Sequence, residues 1–164
     1  MNKELEILST KEMAVSGSPV PFLYFKRLAE HKSVKHGCST RVGGVSEGCF
    51  STMNLGFGRG DADENVLTNY DRLCNAMGFT KEQVVLPDQV HDTVVRRATK
   101  ADCGKGIIKP RDYSNVDAQI TDEPGWLWWC SVRIAYRCFF MTRWQRQSER
   151  LTQAGAEPSD GLLK

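Results

Sequence analysis

The sequence predicts a mixed α/β fold, because short runs of strand-forming residues stand on either side of one amphipathic helix. The helix gives the clearest signal: apolar residues recur at spacings of three and four between Val66 and Met77, and Gly78 follows directly. The aromatic run 22–25, which follows two prolines, is typical of a strand. With 164 residues, 40% of them hydrophobic, the chain can bury one sizeable core, so we expect a single domain.

The remaining elements follow from turn signals and short apolar runs. A second strand is predicted over residues 34–40, because the chain then reaches the turn signal Gly43-Gly44. Asp63 is the expected N-cap of the helix. After the helix, valine-rich pieces between residues 84 and 95 favour strands, with a hairpin as one arrangement, and residues 116–120 favour one more strand.

Glycines alternate at positions 56, 58 and 60, which raises the question of a phosphate-binding loop. The spacing matches neither GxGxxG nor GxxxxGK[ST], and the Gly104-Lys105-Gly106 segment matches neither pattern either. On spacing alone, plain turns are favoured over a nucleotide cradle in both places.

The six cysteines include no CxxC pair, so nothing in their spacing supports a structural zinc knuckle. The N-terminus lacks a secretory pattern, which favours reduced thiols and a cytoplasmic protein over disulfides. Cys103 lies between Lys100 and Lys105, whose charges would favour a thiolate. A nucleophile also needs a positioned base, so we interpret Cys103 as a loop thiol.

The three histidines have different local contexts. His31 stands between charged residues and is expected to be solvated, whereas His36 could belong to the core or to a site. His91 is flanked by apolar strand residues, where a lone histidine is more often a hydrogen-bonded structural residue than a metal ligand.

Several short motifs occur in one order along residues 20–125, and together they are far more specific than any one of them alone. They are HGCSTRVGGVS from His36, MNLG from Met53, GD at Gly60, QVH from Gln89, DCGKG from Asp102, DAQIT from Asp117 and PG at Pro124. With these motifs the chain resembles the laccase-domain family, once called polyphenol oxidases and now assigned as purine nucleoside phosphorylases that also deaminate adenosine.

This resemblance implies a single mixed α/β laccase-domain fold, longer than this chain, with a zinc site of His, Cys and His. The family's older label names copper. His91 matches the histidine of the family's QVH motif, so the resemblance makes it a metal ligand rather than a structural residue. By the same resemblance Arg41 and Asn54 lie near the substrate, and Arg41 is suited to a phosphate. The implied substrates are a purine nucleoside and phosphate, and the implied enzyme classes are transferase and hydrolase.

The resemblance stops at Gly125, after which the family has an apolar strand, an ADCVP-like motif and an HAGWRG-like motif. Here the chain reads WLWWC and contains no further histidine. Codons allowed from Gly125 onward, when read from the last base of the glycine codon, give LALVVQCADCVP and then a segment containing HAGWRG. We therefore predict that the residues from about 126 are translated out of frame.

This prediction divides the chain into an N-terminal segment (1–19), the N-terminal part of a laccase-like domain (20–125) and an out-of-frame tail (126–164). We expect the domain to be truncated and the tail to be disordered or misdocked, because its arginines would be costly to bury. Without the downstream Cys and His motifs no catalytic set is complete, so we expect the chain to be inactive as it stands.

A second interpretation is a non-catalytic binding module whose Arg/Trp-rich tail contacts nucleic acid or an acidic partner. The tail holds six basic and three acidic residues and all four tryptophans, against 16 basic and 17 acidic residues in 1–125. The tail shows no amphipathic periodicity and the changed frame accounts for its composition, so the enzyme interpretation is favoured and nucleic acid is not expected as a partner.

No apolar run is long enough to predict a membrane span. Copper-dependent phenol oxidation ranks last, because His91 alone gives no blue-copper ligand set.

Overall fold

A computed structural model describes residues 13–32, 35–90 and 92–123, together with the strand backbones of residues 127–131 and 137–141. These residues form a mixed α/β fold, as predicted, in which a six-stranded sheet is accompanied by a two-stranded sheet and one long helix. In chain order the elements are β1 (Met13–Val15), β2 (Phe22–Phe25), α1 (Lys26–Ala29), β3 (Lys35–Ser39), α2 (Asp63–Met77), β4 (Val84–Val85), β5 (Val95–Arg97), β6 (Ala118–Ile120), β7 (Leu127–Ser131) and β8 (Arg137–Met141).

The larger sheet has the order β1-β2-β3-β8-β7-β4. All neighbouring pairs are antiparallel except β7 and β4, which run parallel with Val84 opposite Leu127. The last two strands in sequence therefore lie between strands that come much earlier. Only their backbones are described within residues 126–164, so the expected disorder or misdocking of that tail stays a prediction.

The hairpin predicted as one arrangement between residues 84 and 95 is wrong, as the smaller sheet shows. β5 pairs in parallel with β6, with Val95 opposite Ala118, whereas β4 belongs to the larger sheet. The physical reason is a contact distant in sequence: Asp88 forms a bridge with Val116, so the chain after β4 runs along the segment before β6. A local pattern of valines cannot reveal a partner that lies more than twenty residues further along.

Helix α2 confirms the predicted periodicity, because its apolar stripe is buried. That stripe forms the main core with the ends of the neighbouring strands and with part of the preceding loop. The buried members of this core are Val20, Met53, Leu55, Val66, Tyr70, Leu73, Cys74, Met77, Phe79, Val84 and Leu86.

The two ends of α2 differ in how well they were predicted. Asp63 is the first helical residue rather than the cap, and Ala62 occupies the N-cap position without a side-chain cap bond. Asp63 nevertheless suits the first turn, where a carboxylate faces the positive end of the helix dipole. At the other end Gly78 has a φ of 77°, and the N–H of Phe79 donates to the carbonyl of Cys74 at 3.1 Å, as expected for a helix ended by glycine.

The other predictions of secondary structure agree with the observed strands. β2 has the predicted bounds, β3 lies within the predicted range 34–40, and β6 lies within 116–120. The glycine-rich segment forms turns, in which Gly58 and Gly60 have φ values of 67° and 99°. Among the residues that the structure describes, no helix is both long and apolar enough to cross a bilayer.

Candidate functional site

The segment between β3 and α2 carries two predicted site residues, and a buried asparagine on α2 holds it in place. Asn69 is fully buried, and its Oδ1 accepts the N–H of Val45 at 2.7 Å. Its Nδ2 donates to the hydroxyl oxygen of Ser46 at 2.8 Å and to the carbonyl of Asn54 at 2.8 Å. One helical side chain therefore fixes the loop at two places that are far apart in its sequence.

Asp61 forms the second anchor of this loop. Its Oδ2 accepts hydrogen bonds from Nδ2 of Asn54 at 2.8 Å and from the hydroxyl of Ser46 at 2.7 Å. Its Oδ1 accepts the N–H of Ala62 at 3.0 Å and Nδ2 of Asn65 at 3.1 Å. The donors, Asn54 first and Ser46 next, lower the pKa of this carboxyl from 3.8 to about 2.

Arg41 and Asn54 lie on two neighbouring segments of this loop. The carbonyl of Arg41 accepts the N–H groups of Thr52 and Met53, each at 3.1 Å, so Asn54 follows directly after this contact. The Arg41 residue is exposed, whereas Asn54 is partly buried. Besides its bond to Asp61, Asn54 accepts the N–H of Gly56 on Oδ1 at 3.0 Å. Arg41 is thus exposed to solvent on this loop, whereas the amide of Asn54 is already engaged in hydrogen bonds.

Gly44 allows the close approach that this loop needs. A Cβ at this position would lie 1.9 Å from the carbonyl oxygen of Thr52 and 2.7 Å from Oδ1 of Asn69. The guanidinium of Arg72 supports the same turn from α2, with Nη1 donating to the carbonyls of Gly43 at 3.1 Å and Gly44 at 3.3 Å. The Gly-Gly pair of the motif therefore has a packing role as well as a turn role.

A second polar cluster surrounds Asp102, which is 3% exposed. Arg96 donates two hydrogen bonds to its carboxylate, at 2.9 and 3.0 Å, and Lys105 donates a third at 2.7 Å. These donors, Arg96 foremost, hold the pKa of Asp102 well below its ordinary value. The Arg96 guanidinium also lies 4.3 Å from the centre of the Tyr113 ring. Two residues of the DCGKG motif, Asp102 and Lys105, thus form a compact ion-pair cluster with Arg96.

Cys103 follows this cluster in the chain. Burial raises the pKa of its thiol above the ordinary value, although the positive charges of Lys109 and Lys100 act in the opposite direction. This result supports a loop thiol rather than a reactive thiolate.

Two of the three histidines lie among the described residues. His31 is exposed, as expected. His36 is buried, its Nε2 lies 2.8 Å from the amide nitrogen of Phe25, and burial lowers its pKa. It also borders an open cleft of about 390 Å³ whose lining includes Tyr24, Lys32 and Met77 but neither Arg41 nor Asn54. His36 is therefore a structural residue of the β2–β3 pair.

His91, the predicted metal ligand, lies outside the described residues. Its neighbours Val90 and Asp92 are described, and both of their amides donate to the carboxylate of Asp117. Across the described ranges, no group of three or more His, Cys, Asp or Glu side chains could hold a metal ion. The described side chains therefore do not supply the zinc or copper ligand set that the resemblance implies.

Sequence reasoning missed the residue that holds the loop together. Asn69 lies on the apolar stripe of α2 between Val66 and Leu73, and a polar side chain in such a position must find partners. That placement was a usable signal. Asp61 and Asp117 stand in the quoted motifs, but nothing in the sequence shows which side chains and backbone amides donate to their carboxylates.

Comparisons with known proteins agree with this fold. A sequence profile described as "Multi-copper polyphenol oxidoreductase laccase" matches residues 35–135, a range that extends past Gly125. Purine nucleoside phosphorylase YlmD of Geobacillus stearothermophilus is 36% identical over 93 residues, which cover 54% of this chain and 33% of that protein. A purine nucleoside phosphorylase of Bacteroides thetaiotaomicron is 31% identical over 105 residues, covering 63% of this chain and 39% of the relative. The chain thus matches only 33% and 39% of the length of these two relatives.

Two solved structures share the fold. The crystal structure of YlmD from Geobacillus stearothermophilus superposes with a TM-score of 0.62 and 23% identity, covering 81% of this chain and 53% of that one. The crystal structure of the Bacillus licheniformis hypothetical protein YfiH gives a TM-score of 0.63 and 19% identity, covering 79% and 52%. At this level of identity the likeness concerns the fold alone.

Proposed function

The chain belongs to the multi-copper polyphenol oxidoreductase laccase family, and on that premise we propose that it derives from a purine nucleoside phosphorylase. Such an enzyme transfers the sugar of a purine nucleoside to phosphate. The proposal draws on the names of the relatives, which are purine nucleoside phosphorylases in Geobacillus and Bacteroides. It also draws on one feature of this chain, the exposed Arg41 on an anchored loop.

Arg41 is the residue that we propose to bind phosphate. A guanidinium offers several N–H donors in a fixed plane and binds a tetrahedral anion well. The carbonyl of Arg41 is held by the amides of Thr52 and Met53, and Asn69 fixes the same loop from α2. This support reduces the freedom that the loop would lose on binding an anion.

Asn54 has a different part in the proposal. Its Nδ2 donates to Asp61 and its Oδ1 accepts from Gly56, so most of its hydrogen-bonding capacity is in use. We therefore assign Asn54 to positioning: it fixes the loop beside Arg41, and any contact with substrate would use the remaining lone pair of Oδ1.

Adenosine deamination and zinc belong to the proposal through the family resemblance. Zinc would activate a water or phosphate beside the nucleoside when bound. Its proposed ligands are His91 and the Cys and His of the two motifs that follow Gly125 in the family. Those two motifs are not in this chain, so no step of the reaction is assigned to the metal here.

For the chain as it stands we propose loss of activity through a changed reading frame after Gly125. The proposal rests on the sequence of residues 126–164, for which allowed codons regain both missing motifs when the reading frame is shifted by one base. It also accounts for four tryptophans within a short segment, because shifted Val and Leu codons supply TGG.

A cytoplasmic location is the last part of the proposal. The four described cysteines, Cys38, Cys49, Cys74 and Cys103, are thiols. Burial raises the pKa of Cys74 to about 12, so this thiol stays protonated and inert. Thiols that stay reduced are typical of a reducing compartment.

One experiment tests the function and the reading frame together. The coding DNA is resequenced across Gly125, and one base is inserted at the Gly125–Trp126 junction to make a frame-restored protein. Both proteins are assayed for release of free base from inosine and adenosine with phosphate present. We expect turnover by the frame-restored protein, its loss in a frame-restored H91A variant, and none by the present chain. Turnover by the present chain would refute the proposed inactivity, and an inert frame-restored protein would refute the phosphorylase proposal.

A further inference from the structure

One carboxylate holds the segment of chain on both sides of His91. Oδ1 of Asp117 accepts the N–H of Val90 at 3.2 Å, and Oδ2 accepts the N–H of Asp92 at 2.8 Å. The two oxygens thus bind the amides that directly precede and follow the position of His91. The pairing joins residues that are 25 and 27 positions apart in the sequence.

The backbone of Asp117 strengthens the same junction. Its N–H donates to the carbonyl of Val94 at 3.1 Å, and its carbonyl accepts Nε2 of Gln89 at 3.2 Å. Gln89, Val90, Asp92 and Val94 are therefore all bonded to Asp117, through its side chain or its main chain. This connection also sets the register at which β5 enters its pairing with β6.

The chemistry of this contact needs a carboxylate. Two N–H donors face two acceptor oxygens, and each bond is assisted by the negative charge. An asparagine has one acceptor oxygen, and its NH₂ group would oppose the second N–H donor. Val90 and Asp92 are both exposed, so solvent would otherwise compete for these amides.

From this geometry we propose that Asp117 is a positioning residue, whose carboxylate fixes the backbone amides that precede and follow the predicted ligand His91. We call this contact the Asp117 clamp. Its significance for catalysis rests on the proposed function, in which His91 is a site residue. Its existence as a local structural device does not, so the two can be tested separately.

The first test uses the present chain and measures amide hydrogen exchange by NMR. Variants D117N and D117A are compared with D122N, which removes the same charge from an exposed carboxylate of the next loop, where it accepts Arg97. We expect D117A to lose protection at both Val90 and Asp92 by about tenfold or more, and D117N at one of them at least. D122N should leave both amides unchanged.

Exchange at Tyr70 in α2 separates local opening from a general loss of stability. The protection of Val90 and Asp92 is therefore expressed relative to that of Tyr70, and we expect this ratio to fall in the Asp117 variants. An unchanged ratio would overturn the clamp, whether or not the variants are less stable overall.

The second test asks whether the clamp matters for catalysis in the frame-restored protein. We expect D117N to lower kcat by about 10- to 100-fold, the range seen when supporting partners of site residues are removed, with a much smaller change in KM. D122N should match the parent protein. An equal kcat for D117N and the parent would overturn the positioning role. A frame-restored protein that cleaves no nucleoside would refute the proposed function, while the exchange ratio in the present chain would still decide on the clamp.

Discussion

Nδ2 of Asn54 donates a hydrogen bond of 2.8 Å to Oδ2 of Asp61, which joins two motifs that look unrelated in the sequence. The same oxygen accepts the hydroxyl of Ser46, and that hydroxyl oxygen accepts Nδ2 of Asn69. The residues form one chain of hydrogen bonds from the glycine-rich turn to the middle of α2. Arg41 lies in the same loop, where its carbonyl accepts the amides of Thr52 and Met53, so the proposed phosphate contact depends on the support that this network gives to the loop.

Protonation of Asp61 should destabilise the fold in acid. Its pKa is about 2 in the folded chain against 3.8 ordinarily, so the unfolded chain binds the proton more readily. The stability that this carboxylate contributes is therefore complete above about pH 4 and is lost as the pH falls toward 2. We expect D61N to lower the urea midpoint at pH 6 and to weaken its dependence on pH between 4 and 2. Parallel pH profiles for D61N and the parent chain would contradict this, and E47Q, on an exposed side chain, serves as the control.

Truncation of Asn69 should be among the most damaging changes on α2. N69A leaves the Val45 amide and the Asn54 carbonyl without this partner inside the protein. Each unsatisfied buried group costs about 1–3 kcal/mol, so we expect the free energy of unfolding to fall by roughly 3 kcal/mol. The free energy of unfolding is measured by urea denaturation, monitored by far-UV circular dichroism. The neighbouring T68A variant should lose far less, because it removes a hydroxyl that donates to the helix carbonyl of Glu64 from an exposed position, and similar losses in both variants would argue against the network.

An added methyl group should distinguish two glycines sharply. At Gly44 it would meet the Thr52 carbonyl oxygen at 1.9 Å, whereas at Gly17 nothing lies within 4 Å. Because backbone must move to make room, we expect G44A to cost about 3 kcal/mol or more. G17A should leave the thermal midpoint close to that of the parent chain. If both variants had the same thermal midpoint as the parent chain, the close approach at Gly44 would be refuted.

Two arginine–carboxylate pairs offer a comparison of buried with exposed charge. The side chain of Asp102 is 4% exposed beside Arg96, whereas that of Asp122 is 58% exposed beside Arg97. D102N leaves Arg96 facing an amide inside the cluster, and we expect a loss of about 2 kcal/mol in unfolding free energy. D122N should change the urea midpoint little, because solvent screens an exposed pair. Equal effects of the two variants would contradict this account of the Asp102 cluster.

Phosphate recognition by Arg41 can be read from kinetics of the frame-restored protein. R41A should raise the KM for phosphate by about tenfold or more, because it removes charge-assisted hydrogen bonds, while the KM for the nucleoside changes less. R59A is a matched control, since Arg59 is another exposed arginine of the same loop region. An unaltered KM for phosphate in R41A would exclude this residue as the phosphate contact.

The sequence was sufficient for elements whose causes are local. The apolar stripe from Val66 to Met77 predicts α2, because buried residues recur about once per helical turn. Gly78 predicts its end, because the residue that ends a helix often has a left-handed backbone conformation, which favours glycine. The run 22–25 likewise has its predicted strand bounds.

Features that depend on distant partners were not predictable in the same way. β4 pairs with β7 and β5 with β6, although the valines of β4 and β5 look equally suited to a hairpin with each other. Motif resemblance indicated Arg41, Asn54 and His91 as site residues, and these assignments stay predictions. The supporting hydrogen bonds of Asn69 and Asp117 join segments 15 to 28 residues apart, and only coordinates reveal such contacts.

The order of strands in the larger sheet bears on how the chain is made. β3 pairs with the inner strand β8, and β4 pairs with the inner strand β7. These two inner strands are the last strands of the sheet to leave the ribosome. A nascent chain that ends near Gly125 therefore offers two open strand edges, and such edges recruit other polypeptides. The codons beyond Gly125 thus influence the solubility of everything translated before them.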